Sequence, residues 1–297
     1  MSNDITLLDG GMGKTLERNG APFRQPEWSA LALIEDPDHV RTAHQQFVEA
    51  GADVITTNNY AIVPFHIGQE RFEREGVALT ALSASLAREA AAGGTQVAGS
   101  IPPLFGSYEP DKFDAKFAPS YLGRIVDSLA PNVDFFLAET QSSVEEASFS
   151  MRAAGNYDLP IWVSFSLDDD QTQEAVLRSG ESLEAAVDAA VAGNAEAVLF
   201  NCSHPEILSM AIPRAVEQAQ GGFAVGGYAN AFLPKPQNYS ANEVVLGHRE
   251  DLDPTGYLEF VKEWIDAGAT VVGGCCGIMP EHIAAMRAHL DSRNGIE

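Results

Sequence analysis

Short runs rich in β-branched and aromatic residues recur eight times along this chain, at intervals of roughly 30 to 45 residues. They are Ile5–Leu8, Asp53–Thr57, Gln96–Gly99, Phe135–Ala138, Ile161–Phe165, Ala197–Phe200, Phe223–Gly227 and Thr270–Gly273. Most are apolar throughout, which suits parallel strands covered on both faces and not half-exposed antiparallel ones. Sequences of helical period lie between them. Asp36-Pro37 supplies a cap and a first-turn proline ahead of Val40, Ala43, Phe47 and Val48 on one face. Leu183, Ala186, Val187, Ala190 and Val191 make a second stripe, and Leu258, Val261, Trp264 and Ile265 a third. Pro280 opens a last helix that turns Ile283, Met286 and Leu290 inward. Eight strand–helix units predict an α/β fold, a closed (β/α)8 TIM barrel formed as a single domain by residues 1–297. An open doubly wound sheet with one or two false strands is the alternative.

Composition narrows the partners. Hydrophobic residues make up 45% and charged residues 20%, as an ordinary packed core requires. A net charge of −24 disfavours nucleic acid and anionic membranes as partners. The opening Met-Ser-Asn-Asp lacks a basic region followed by an apolar segment, and the apolar runs are too short to cross a bilayer, so a cytoplasmic protein is expected. The stretches Ile101–Pro119 and Tyr228–Asp251 read as long loops over one barrel end. Loops of that length are uncommon without a function. Oligomeric state is not legible.

Three cysteines carry the strongest chemical signal. Cys202 follows the sixth strand candidate in Asn201-Cys202-Ser203-His204, and Cys275 and Cys276 follow the eighth in Gly273-Gly274-Cys275-Cys276-Gly277. Both positions are carboxyl ends of strands, where barrel sites are built, and strands two apart can converge over the mouth. Three thiolates form a soft ligand set suited to Zn²⁺, with an open fourth position for catalysis. The plainer reading is that each cysteine is a small buried hydrophobe. An odd count makes a poor disulfide framework, and a bridge between Cys275 and Cys276 is sterically demanding. His204 precedes a proline and reads as a loop group ahead of a ligand.

Several segments, in order, resemble the homocysteine S-methyltransferase family, with its betaine-, S-methylmethionine- and cobalamin-linked members. They are Leu8-Asp9-Gly10-Gly11-Met12-Gly13, Gly51-Ala52-Asp53-Val54-Ile55-Thr56-Thr57-Asn58, Glu139-Thr140, Asn201-Cys202, and Gly273-Gly274-Cys275-Cys276-Gly277 followed by Pro280-Glu281-His282-Ile283. The resemblance implies that Cys202, Cys275 and Cys276 ligate zinc. It implies that Asp9 and Glu139 hold the amino group of homocysteine, with Gly10, Gly11 and Thr57 shaping the pocket. The residues agree: a strand-end carboxylate without a partner is costly unless something cationic arrives. The plainer roles are a glycine-turn cap for Asp9, and a helix cap or a basic partner for Glu139.

The activity so implied is transfer of a methyl group to the homocysteine thiol, forming methionine. A sulfonium donor such as S-methylmethionine or S-adenosylmethionine comes first, and betaine or a separate corrinoid protein partner second. Asn201 is a candidate to tune the thiolates by hydrogen bonding. Trp28, Phe105, Tyr108, Tyr228 and Phe232 are candidates for an aromatic wall facing a cationic donor. The chain departs from familiar members at Asn58-Asn59-Tyr60, where Tyr60 reads as packing, and after Glu139, where no proline follows. Two other classes stay open. One is a barrel lyase or aldolase using Asp9 and Glu139 as acid and base; the other is a non-enzymatic zinc- or redox-responsive protein.

Overall fold

In the computed structural model, residues 5–171, 173–233 and 247–295 are described. All eight expected strands form: β1 (Thr6–Leu7), β2 (Val54–Thr56), β3 (Gln96–Ile101), β4 (Phe135–Gln141), β5 (Ile161–Phe165), β6 (Ala197–Asn201), β7 (Ala224–Tyr228) and β8 (Val271–Val272). They run parallel in one sheet, in the order β1-β8-β7-β6-β5-β4-β3-β2. A parallel bridge between Leu8 and Val54 joins β1 to β2 and closes the ring, which rules out the open sheet.

The helices are α1 (Met12–Arg18), α2 (Ser29–Glu35), α3 (Pro37–Glu49), α4 (Pro64–Ile67), α5 (Gln69–Ala90), α6 (Ala118–Leu129), α7 (Val144–Ala154), α8 (Leu183–Ala192), α9 (Pro205–Ala219), α10 (Pro254–Asp266) and α11 (Pro280–Arg293). One longer helix follows each strand, from α3 after β1 to α11 after β8, while α1, α2 and α4 decorate the first two connections. Among the described residues no helix is long and apolar enough to cross a membrane.

Strand periodicity separates two cores. Val198 and Phe200 of β6 and Phe136 and Ala138 of β4 point outward into the layer shared with the helices. Ala197, Leu199, Phe135 and Leu137 point inward, with Leu8, Val54, Ala98 and Val271, and plug the barrel. The same period carries Glu139 and Asn201 one step above that plug.

Four expectations need correction. Strands β3 and β4 run past their expected ends, to Ile101 and Gln141, because polar residues there still pair with neighbours inside the barrel. The Asp36 side chain makes no capping bond to α3; its carboxylate lies 3.1 Å from His39 Nδ1. Val191 is 55% exposed, so the buried stripe of α8 ends at Ala190. In the Ile101–Pro119 stretch, a 3-10 turn forms at Pro110–Lys112 and α6 has begun by Ala118. Residues 234–246 of the Tyr228–Asp251 loop lie outside the described residues.

Candidate active site

The cysteines meet over the barrel mouth because two backbone segments bend there. Cys202 leaves β6 with φ of 50°, in the left-handed region, and Gly277 closes the cysteine loop at φ of 84°, where a side chain would be strained. Gly11 lets the β1–α1 turn lie against this loop: an added Cβ would sit 2.7 Å from the Cys275 carbonyl oxygen. The Gly11 N–H donates to Ile278 O at 2.7 Å, and Gly274 N–H to Asp9 O at 2.9 Å, locking the two turns together.

The ligand atoms of Cys202, Cys275 and Cys276 all lie within 4.8 Å of one another, and they are the one such group among the described residues. Cys202 Sγ and Cys276 Sγ are 3.9 Å apart. Cys202 and Cys275 are joined as a disulfide, and Cys276 keeps a free thiol. The pair that meets is thus neither adjacent in sequence nor excluded by the odd cysteine count; convergence of two loops outweighs sequence distance. A disulfide sulfur is a poor metal ligand, so this donor set is complete in the reduced protein. Three soft sulfur donors this close, bordering a cavity, fit a zinc ion with one position left for a substrate. His204 stands apart from the trio as the N-terminal cap of α9.

Asn201 lies fully buried beneath the sulfurs and supports them. Its Oδ1 accepts from Thr140 N–H at 2.9 Å and from Ser164 Oγ at 2.7 Å. Its Nδ2 donates to Thr140 Oγ1 at 2.8 Å and points at Cys275 Sγ, 3.9 Å away. Thr140 itself sits at φ of 57°, where the β4–β5 register shifts between Ala138 and Gln141. This irregularity turns the top of β4 into the site.

Asp9 and Glu139 share the cavity with the cysteines and are 7% and 9% exposed. Asp9 accepts from Thr56 N–H at 2.8 Å and from Thr56 Oγ1 at 3.3 Å, and Glu139 accepts from Ser100 Oγ. Among the described residues neither carboxylate is paired with a Lys, Arg or His. Burial pushes the Asp9 carboxyl up to about 8, with the nearby Glu139 charge adding to the rise, and burial alone pushes Glu139 up to about 7. Glu139 lies inside β4 and Ser143 caps α7, while the Asp9 carboxylate reaches across to Thr56 of β2.

The cavity holds about 210 Å³ and is walled by Gly10, Gly11, Thr57, Tyr60 and a set of aromatic rings. Of the expected aromatic candidates, Trp28, Tyr108, Tyr228 and Phe232 line it. Phe105 does not; it packs in the core against Phe113 and Tyr121. Phe23 and His66 line it without having been singled out in the sequence. Phe23 meets Trp28 edge-on, a contact between loop residues that no periodicity announces. Tyr60 donates to or accepts from Ser107 Oγ at 2.8 Å, so it is a wall residue with a tethered hydroxyl. Thr57 Oγ1 donates to Asn59 Oδ1 at 2.6 Å and accepts Ser100 N–H at 2.9 Å, so it shapes the wall with no hydroxyl proton to spare.

Fold and site together define an α/β barrel with a three-cysteine group able, when reduced, to hold a metal beside a small, largely apolar pocket. The sequence profile described as "Homocysteine S-methyltransferase" matches residues 6–290, and the chain belongs to that family. Homocysteine S-methyltransferase 1 of Zea mays is 28% identical, over 97% of this chain and 95% of that protein. An S-methylmethionine–homocysteine S-methyltransferase of Pongo abelii is 25% identical, over 99% of this chain and 80% of its own length. The homocysteine methyltransferase MmuM of Escherichia coli superposes with a TM-score of 0.77 in its metallated form and 0.78 in its oxidized form, at 25% identity and 96% coverage of both chains.

Proposed function

We propose that this enzyme forms methionine by moving a methyl group onto the thiol of L-homocysteine, and that the donor is a sulfonium compound of the size of S-methylmethionine. The observation that carries the reading is the meeting, in one cavity, of a three-sulfur donor set with two buried carboxylates that lack a cation. An amino-acid thiol supplies both missing partners, an ammonium for the carboxylates and a sulfur for the metal centre. Asp9 and Glu139 bind and orient the ammonium, while Gly10, Gly11 and Thr57 confine the acceptor by contact. Cys202, Cys275 and Cys276 would hold zinc, which when bound supplies a Lewis acid that lowers the acceptor's thiol pKa. Asn201 holds the β6 end and the Cys275 sulfur in place.

The acceptor thiol gives up its proton to solvent water as it binds, so the methyl transfer itself balances without a further base. The acceptor sulfur's electron pair forms the new bond to the methyl carbon as the donor's sulfur–methyl bond breaks, and that pair returns to the donor as a neutral thioether. Rings of Trp28 and Phe232 face the pocket where the donor's positive charge would sit. A cavity of about 210 Å³ favours a compact donor over a corrinoid. The Pongo abelii relative, named for S-methylmethionine and homocysteine, supports the same choice.

The test is methionine formation by reduced, zinc-loaded protein given homocysteine and, in turn, methyl-labelled S-methylmethionine, S-adenosylmethionine, betaine and methylcobalamin. Label is expected from S-methylmethionine and is expected to disappear in Cys202→Ala. Folded, zinc-loaded protein that neither binds homocysteine nor yields label from any donor would overturn the assignment.

A further inference from the structure

The connection from β5 to α8 folds back on itself through antiparallel bridges between Leu167 and Leu177 and between Val176 and Ser182. This hairpin sets Arg178 beside the barrel mouth, outside the cavity lining. Its guanidinium lies 2.6 Å from the Asp169 carboxylate, and the two side chains are 12% and 5% exposed. The same guanidinium lies over the Tyr108 ring, 5.1 Å from its centre, and Tyr108 does line the cavity. The second Asp169 oxygen accepts the backbone N–H of His204 at 2.8 Å, two residues beyond Cys202. One largely buried ion pair therefore grips two of the loops that build the site.

Such a pair is a weak source of stability but a strong source of geometry, since each charge tolerates few other arrangements. Arginine suits the position because its fork meets a carboxylate while its flat face covers a ring. Tyr108 has φ of 68°, a conformation that a residue with a side chain keeps only when its surroundings dictate it. The Arg178 contact is one such constraint.

We propose that Arg178, paired with Asp169, is a positioning residue for the substrates, acting through the Tyr108 ring that it holds against the pocket. The inference rests on the methyl-transfer reading above. Its test is steady-state kinetics with homocysteine and S-methylmethionine varied separately, and zinc content measured for each protein. Arg178→Lys keeps the charge beside Asp169 but loses the flat face on Tyr108. It is expected to raise the KM of at least one of the two substrates about tenfold, with kcat and zinc content within about twofold of wild type. The rise is expected to vanish when Tyr108→Leu is already present, because Arg178 then has no ring to place. Should Arg178→Lys fold poorly, the neutral pair Arg178→Gln/Asp169→Asn leaves no buried charge and carries the same expectation. KM values unchanged for both substrates, loss of zinc, or a full additional loss on Tyr108→Leu would each overturn the inference. A wild type inactive with every donor would instead remove the functional reading and this inference with it.

Discussion

Burial holds the Asp9 carboxyl up to about 8 and the Glu139 carboxyl up to about 7, against ordinary values of 3.8 and 4.5. The folded protein therefore keeps protons that an unfolded chain has released. For a group raised in this way, stability is fully present below the unfolded value and is lost as pH rises through the folded one. Asp9→Asn removes one such group, so its stability relative to wild type is expected to climb between about pH 5 and about pH 8, by at most about 1.4 kcal/mol per pH unit. Urea unfolding of both proteins across that range checks it; a constant difference contradicts it. In the proposed function homocysteine would reverse the balance, because its ammonium would favour both charged carboxylates. Acceptor binding is expected to release protons near neutral pH and to tighten as pH rises from about 6 to about 8, measurable by titration calorimetry in buffers of different ionisation heat. The sequence shows Asp9 and Glu139 as candidates because unpaired carboxylates beside strand ends demand a cation. It does not show Asn201's four hydrogen-bonding contacts, because Thr140 and Ser164 reach it from strands distant in sequence.

At the scale of elements, the site depends on helices that hold strand ends at fixed spacing. Helix α10 does so through Tyr257, which is fully buried. Its hydroxyl accepts Ala229 N–H at 2.9 Å, just past β7, and donates to Gly273 O at 2.8 Å, just past β8. Ala229 O in turn accepts Cys275 N–H at 2.9 Å, so the helix sets the loop that presents two of the three sulfurs. Tyr257→Phe keeps the ring and leaves both backbone groups without that partner. It is expected to destabilise the protein by about 1–3 kcal/mol and to weaken zinc affinity by about tenfold or more. Denaturant unfolding and competition with a chelator measure the two effects, and an unaltered zinc affinity would separate Tyr257 from the metal centre. The eight strands were legible because buried parallel strands are short apolar runs. The polar upper end of β4 was not, since Glu139-Thr140-Gln141 looks like a loop until the register shift is seen. Nor was the hairpin carrying Arg178, whose bridges link residues without a strand pattern.

Over the whole molecule, a barrel must join its first unit to its last, and here the join is narrow. Strands β1 and β8 are two residues long, and a single bridge, Leu8 to Val54, connects β1 with β2. Side chains reinforce it from the face opposite the cysteines. Asp53 Oδ2 accepts Leu7 N–H at 2.8 Å and Arg287 Nη2 at 2.6 Å, while Arg287 Nε donates to Gly51 O at 3.0 Å. Helix α11 is thereby tied to the start of β2 across the seam. The ion pair is partly exposed, with side chains 26% and 44% accessible, so its charge attraction alone contributes little. The Leu7 bond is the larger part, because the strand N–H beneath it is otherwise unpaired. Asp53→Ala is expected to cost about 1–2 kcal/mol of stability and to leave kcat/KM within about twofold of wild type, since barrels separate a stabilising face from a catalytic one. Thermal unfolding and turnover on the same preparation decide the matter. Reduced turnover in a protein that remains folded at the assay temperature would mean that the seam transmits to the mouth, through Leu8 and the Asp9 carboxylate that follows it.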